Sequence, residues 1–215
     1  MDRLDPAADV IAADPEKRRV LRLERLEKEF WLLWQDLAAS AQGGMGFEVG
    51  PAAVAAIAVA RQEDEPIFRG KGDLEGLMNA RGTLSSAFGD WDKTGAGLTA
   101  ISQAVGALMA AGLRGPFAAV MNPVSYAKLL RPVNGAQLEL KLVEQIANGG
   151  VFQTPVLTET EGIVVSNGRE NLDLAVGQDL VTAYIGPAEL NHVFHLVETV
   201  ALRIKRPSAI CVLKG

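Results

Sequence analysis

The sequence predicts an α+β fold with a mainly antiparallel sheet. Apolar residues recur at helical spacing through most of the first two thirds of the chain, up to Ala147. From Val151 onward the period changes to two, so strands are gathered at the C-terminal end. Composition supports a packed core: 48% of the 215 residues are hydrophobic and 22% are charged. That is enough for one sizeable domain, or one domain with a small lobe, and too apolar for a disordered chain.

Residues 1–18 are rich in Ala, Asp and Pro and read as an N-terminal arm. Arg19 to Leu26 alternates, its first half suiting a strand and its second half a helix entry. Glu27 to Ala41 then predicts a helix, with Phe30, Leu33, Trp34 and Leu37 at helical spacing and Trp31 and Leu32 widening the apolar face. Gly43-Gly44-Met45-Gly46 ends it. Pro51 opens a second helix, in the first-turn position where its missing N–H costs nothing. Ala53 to Ala60 is almost wholly small and apolar, which suits a central helix running to about residue 68.

Residues 70–97 are glycine-rich and predict a loop with one short element around Leu74 to Met78. Leu98 to Ala111 is a helix capped by Gly112, Phe117 to Met121 a short buried strand, and Val124 to Leu130 a helix started by Pro123. After the turn Arg131 to Gly135, Leu138 to Ala147 forms a further helix, closed by Asn148-Gly149-Gly150. Short strands follow at Val151-Phe152, Val156-Leu157, Ile163 to Val165, Leu172 to Val176 and Leu180 to Ile185. A long alternating strand from His192 to Lys205 precedes a terminal one from Ala209 to Leu213. The organisation expected is an arm over 1–18, a peripheral region over 19–97 and a second region over 98–215, some of whose strands return to the first.

Several function classes find little in the composition. The net charge of −5 points neither to nucleic acid nor to an anionic membrane, and the basic clusters Lys17-Arg18-Arg19 and Arg203, Lys205, Arg206 read as solvated faces. Cys211, the single cysteine, lies in an apolar run and reads as a core residue in a reducing compartment. No apolar run approaches the length of a membrane span and no secretory leader is apparent, so a cytoplasmic protein is expected.

Catalytic constellations are equally sparse. His192 and His195 are three apart, which in a strand sends them to opposite faces and argues against a shared metal. Gly70-Lys71-Gly72 opens like a phosphate-binding turn but completes no such motif. Glu63-Asp64-Glu65 reads as a helix end, and Asp90-Trp91-Asp92 as a loop tip with one anchoring Trp. Ser85 and Ser86 lack a nucleophile-elbow setting. Neither cofactor nor metal is expected, and the chain reads as a non-enzyme. Phe30, Trp31 and Trp34 offer large aromatic surface, suited either to an interface between chains or to an ordinary core.

Three segments, in order, resemble the family 1 encapsulin shell proteins of linocin type. The first is Arg61-Gln62-Glu63-Asp64-Glu65-Pro66-Ile67-Phe68-Arg69-Gly70 with Leu74-Glu75-Gly76-Leu77, similar to the end of the family's spine helix. The second runs from Leu98 to Gly150 and contains Asn122-Pro123 followed by Tyr126-Ala127-Lys128-Leu129-Leu130, similar to the family's axial domain. The third and most specific runs from Ile163 to Leu174 into Gly177-Gln178-Asp179-Leu180, then Val193 to Thr199 and Pro207 to Leu213.

The resemblance implies a tailed-phage capsid fold with a spine helix and an axial-domain sheet. It implies a self-assembling, homo-oligomeric shell that encloses or docks a cargo enzyme in the cytoplasm, with no nucleic acid and no membrane as partner. It places Arg131, Pro132, Val133, Asn134, Gly135, Ala136 and Gln137 in the loop that lines the five-fold pore. Only 49 residues precede Gly50, so the family's N-terminal helix and extended loop are expected to be reduced or absent. That shortening admits a rival reading, a capsid-fold subunit that forms a small oligomer docked on a redox enzyme. A third reading, a peptidase, would rest on Glu63, Asp64, His192 and His195.

Overall fold

A computed structural model of the chain describes residues 21–43, 46, 48–133, 135 and 137–215. The expected arm over 1–18, and Asn134 and Ala136 of the expected pore loop, lie outside the described residues. The described chain forms two compact units. One comprises Pro66–Asp173 and Leu202–Gly215, the other Leu21–Glu65 and Leu174–Ala201. Residue 97 is therefore not a boundary between units, and the glycine-rich stretch after Phe68 belongs with the chain that follows it.

The larger unit is built on a five-stranded sheet. Its strands are β2 (Leu84–Ala87), β3 (Phe117–Met121), β6 (Gly150–Gln153), β7 (Glu161–Ser166) and β10 (Ile210–Lys214), in the order β2-β10-β7-β3-β6. β7 runs antiparallel to both its neighbours, while the outer pairs β2–β10 and β3–β6 are parallel. Both faces of the sheet are covered, which is why its central strands read as unbroken apolar runs. Phe117, Ala119, Met121, Val164, Cys211 and Leu213 point to one core. The alternate residues Ala118, Ile163, Val165, Ile210 and Val212 point to another, with Phe68, Leu77 and Leu157.

The first face is packed by α3 (Ala96–Ala110), through Ile101, Val105 and Leu108, and by α5 (Glu139–Ile146), through Leu140 and Val143. α3 ends as its sequence indicates. Gly112 takes φ +79°, its N–H donating to the Met109 carbonyl and that of Leu113 to the Leu108 carbonyl. That left-handed position falls to glycine because it carries no Cβ. The expected short strand at Val156-Leu157 is instead a turn, with Leu157 buried. Leu84–Ala87, expected as loop, is a strand because β10 offers it a parallel partner.

The smaller unit packs one helix on a three-stranded sheet. The strands are β1 (Glu24–Leu32), β8 (Leu172–Ala188) and β9 (Asn191–Ile204), in the order β1-β9-β8, and β1 runs antiparallel to β9. Residues 174–201 of β8 and β9 belong to this unit. The helix is α2 (Gly50–Phe68), whose residues up to Glu65 lie in it. Ala55 and Val59 of α2 pack on Leu26 and Phe30 of β1 and on Leu196 and Val200 of β9. The helix expected over Glu27 to Ala41 is corrected. Glu27 to Leu32 is strand, and only α1 (Trp34–Ala41) is helical. Leu26, Phe30 and Leu32 fit a period of two as well as they fit a helix, and nine residues of ladder pairing with β9 decide between the readings. The two strands expected at 172–176 and 180–185 form one continuous strand through Gly177.

Candidate functional site

The segment expected to line a pore is a hairpin held firmly at its base. α4 (Pro123–Lys128) starts on Asn122, whose side chain accepts a hydrogen bond from the Val124 N–H at 2.8 Å. After α4, β4 (Pro132–Val133) pairs with β5 (Gln137–Leu138) through Pro132 opposite Leu138 and Val133 opposite Gln137. Gly135 turns between them at φ +81°. Below the hairpin the Leu140 N–H donates to the Leu129 carbonyl at 2.8 Å and the Glu139 N–H to the Arg131 carbonyl at 3.0 Å.

Two charged side chains clamp this base to the loop that precedes α3. Arg131 donates from Nε to the Lys128 carbonyl at 2.8 Å, from Nη1 to the Asp92 carbonyl at 2.9 Å and from Nη2 to the Trp91 carbonyl. Its guanidinium is thus committed to backbone carbonyls and is not displayed at the hairpin tip. Glu139, 1% exposed, accepts the Gly95 N–H at 3.0 Å and the Leu98 N–H at 2.8 Å, which satisfies free amides at the start of α3. Lys128 Nζ lies 2.7 Å from Asp92 Oδ1, and that hydrogen bond holds the Asp92 carboxyl below its ordinary range. Trp91 is buried, stacks on Phe88 at 4.4 Å and donates its indole N–H to the Phe88 carbonyl at 2.6 Å. Val124 of α4, Leu130 before the hairpin and Leu138 of β5 are exposed apolar residues.

The three aromatic residues singled out in the sequence separate. Phe30 is buried and stacks on Phe194 at 5.3 Å, within the core of its own unit. Trp31 and Trp34 are exposed, with Leu33 exposed between them. The Trp31 indole donates to Glu29 Oε1 at 2.6 Å, and the Trp34 N–H donates to the Asn191 side-chain oxygen at 3.2 Å. Apolar residues are also exposed on the outward side of α2, at Val54 and Ile57, and along β8 at Val176, Leu180, Val181, Tyr184 and Ile185.

Other residues considered for chemistry have structural partners. His192 Nδ1 lies 2.9 Å from the Tyr184 hydroxyl and His195 Nε2 lies 3.0 Å from Glu29 Oε2, so the two histidines serve different neighbours. Lys71 and Leu74 form a small bridged turn in which Gly70 and Gly72 take positive φ. Cys211 is fully buried, and burial pushes its thiol up to about 11. Among the described residues no group of His, Cys, Asp and Glu is arranged to hold a metal ion. Among them, too, no helix is long and apolar enough to cross a membrane.

Sequence reasoning missed the clamps. By sequence Arg131 reads as part of the loop itself, and Glu139 carries no signal beyond being an acid at a helix start. Arg69 stands out in the sequence only as part of a longer segment, yet it grips Glu161 through two hydrogen bonds of 2.9 and 2.5 Å. Arg203 and Lys205, read as a solvated face, both bond Asp173, at 2.6 and 2.9 Å.

Comparison with known proteins places these features in a family. A family model described as an encapsulating protein for peroxidase, Linocin_M18, matches residues 2–201. Over 203 residues the chain is 42% identical to the type 1 encapsulin shell protein EncA of Myxococcus xanthus, covering 93% of this chain and 71% of that protein. The chain belongs to the encapsulin shell-protein family. This encapsulin is also 37% identical over 206 residues to a diheme-cytochrome–encapsulin shell fusion protein of Kuenenia stuttgartiensis, covering 94% of the chain and 57% of that protein. Its fold matches the virus-like particle from Pyrococcus furiosus with a TM-score of 0.74 at 25% identity, over 89% of this chain and 77% of that one. It also matches the capsid of Myoviridae phage XM1 with a TM-score of 0.61 at 18% identity, over 91% and 74% of the two chains. The encapsulin chain therefore has the tailed-phage capsid fold. It is a structural shell protein.

Proposed function

We propose that this chain is the repeating subunit of a closed, cytoplasmic protein container that encloses a redox or iron-handling enzyme. The observation that carries the reading is its 42% identity, over nearly its whole length, to an encapsulin shell protein. Cargo of this kind is supported by two relatives in which cargo-type domains are fused to the shell, the diheme-cytochrome fusion and a ferritin-like–encapsulin shell fusion protein of Pyrococcus furiosus. Within the container the hairpin Arg131–Gln137 lines the opening at the five-fold axis, and Trp31 and Trp34 seal against neighbouring copies. The support for that contact is the exposure of Trp31 and Trp34 with Leu33 between them, since exposed aromatic and apolar clusters favour interfaces. The rival small ring docked on an enzyme is the less supported reading, because the shell and particle relatives span most of the chain.

The test is particle formation. Size exclusion with light scattering, followed by negative-stain electron microscopy, is expected to reveal a hollow particle of uniform diameter. A strictly monomeric protein at working concentration overturns the proposal. Particles purified from the native host are expected to carry a co-purifying enzyme at reproducible stoichiometry.

A further inference from the structure

A row of aromatic rings crosses the three-stranded sheet from its core to solvent. Phe30 of β1 is buried and stacks nearly parallel on Phe194 of β9, with ring centroids 5.3 Å apart. Phe194 meets Tyr184 of β8 at 5.1 Å, and Tyr184 meets His192 of β9 at 5.7 Å. Strand geometry sets these positions. His192 and Phe194 are two residues apart on one strand and so share a face. β1 places Leu32 opposite the first and Phe30 opposite the second. The short reversal at Glu189-Leu190 brings β8 back beside β9, so that Tyr184 and His192 meet although eight residues separate them.

The outer end of the row carries a polar contact. The Tyr184 hydroxyl lies 2.9 Å from His192 Nδ1, and with the imidazole proton on Nε2 the hydroxyl donates to that nitrogen. This is the separation at which a side chain can take a proton from a reacting group. Of the two tyrosines and two histidines in the chain, these are the pair that meet. Tyr126 packs against the core of the larger unit, and His195 is engaged by Glu29. Tyr184 is also 52% exposed, so its ring is open to molecules in solution.

A phenol keeps its proton at neutral pH, since its ordinary pKa is about 10. Removing an electron turns it into a strong acid, so oxidation is slow unless a base receives the proton as the electron leaves. We infer that Tyr184 is a site of one-electron oxidation and radical coupling, with His192 as its proton acceptor. One electron passes from the phenol to a one-electron oxidant, which is thereby reduced. The O–H bond breaks and its proton forms an N–H bond at Nδ1, leaving an imidazolium and a neutral phenoxyl radical. That radical couples with a second phenoxyl radical, formed from a small phenol by the same oxidant with its proton lost to buffer. A C–C bond forms between ring carbons beside the two oxygens, and the hydrogens on those carbons move to the oxygens, restoring both phenols. The modification belongs to the subunit and does not depend on the container reading.

The experiment oxidises the intact chain with photogenerated tris(bipyridine)ruthenium(III), persulfate serving as terminal electron acceptor and tyramine as the small phenol. Peptide mass spectrometry locates and times the attached tyramine in wild type, Tyr184→Phe, Tyr126→Phe and His192→Phe, the last of which keeps a ring but has no acceptor. Wild type and Tyr126→Phe are expected to carry the label at Tyr184, and Tyr184→Phe to lose most of it. His192→Phe is expected to slow labelling at Tyr184 by about tenfold or more. It should also make the rate rise with the concentration of buffer base, to which wild type is indifferent. A purely structural role for His192 would not introduce that dependence. Labelling of Tyr126, Trp31 or Trp34 in preference to Tyr184 overturns the inference, and so does an unchanged rate in His192→Phe. If His192→Phe does not fold, His192→Gln, which keeps a hydrogen-bond acceptor but no base, carries the same expectation.

Discussion

Arg131 illustrates how a single side chain sets the geometry of the loop that follows it. Its guanidinium spans three carbonyls, of Trp91, Asp92 and Lys128, and thereby fixes where the β4–β5 hairpin leaves the larger unit. Arg131→Ala is expected to cost about 1–3 kcal/mol, since the carbonyls lose charged donors. It should also accelerate hydrogen exchange across residues 132–138 while leaving the sheet protected. Arg69 and Glu161 carry a different expectation. Arg69 holds the Glu161 carboxyl down to about 2, as Arg203 and then Lys205 hold Asp173. These pairs stabilise the fold above the unfolded carboxylate value, and the contribution drains away as pH falls through about 2. Arg69→Ala should therefore lower the melting temperature more at pH 7 than near pH 2, where mainly its hydrogen bond to the Val156 carbonyl is lost, measurable by calorimetry. The partners of Arg69 and Arg203 and the Trp91 and Asp92 carbonyls held by Arg131 are not legible in the sequence, because each pair joins residues far apart in the chain. Glu161 lies 92 residues from Arg69.

At the scale of elements, legibility followed how many readings a segment permitted. α3 carries one pattern, Ile101, Val105 and Leu108 on one face and glycine at the end, and the structure keeps it. β3, β7 and β10 are short, mainly apolar runs bounded by turns, and burial on both faces accounts for their apolar residues, Phe117 to Met121, Ile163 to Val165 and Ile210 to Leu213. Phe30 to Leu37 carries two patterns at once, and only the pairing partner, more than 150 residues away, selects strand for its first half. The hairpin turn between β8 and β9 was equally hidden. Glu189 and Leu190 both take positive φ there, at 49° and 71°, where glycine or asparagine would have announced a turn. Gly70 offers a test of a legible element end. It follows α2 at φ +77°, and a Cβ there would lie 2.3 Å from the Leu74 carbonyl oxygen. Gly70→Ala should destabilise the larger unit by about 2 kcal/mol or more, from backbone strain and the forced displacement of the Lys71–Leu74 turn. Equilibrium denaturation checks this.

For the whole molecule, the resemblance in the C-terminal third correctly identified the family, and the capsid fold followed from it. What the residues alone conveyed was less, an α+β chain with surplus aromatic surface. The structure divides that surplus. Phe30 is spent on the subunit's own core, while Trp31 and Trp34 remain outside. Replacing Trp31 and Trp34 together by Ala should leave the subunit folded, since neither is buried in it, yet shift the population from particle to free subunit. Analytical ultracentrifugation with far-ultraviolet circular dichroism separates those outcomes, and an undiminished particle fraction would remove both residues from the interface.

The pairing of β1 with β9 also has a consequence in time. Leu32 meets His192 and Glu24 meets Val200. The first strand must therefore wait while about 160 further residues are synthesised, roughly 8–30 s at 5–20 residues per second. Throughout that interval β1 has an unpaired edge and Phe30 has no stacking partner. A ribosome-bound chain thus passes through a stage with one unit substantially translated and the other unable to form. Several such chains close together on one message would display matching unpaired strands, and the cell has reason to keep them apart until β9 emerges.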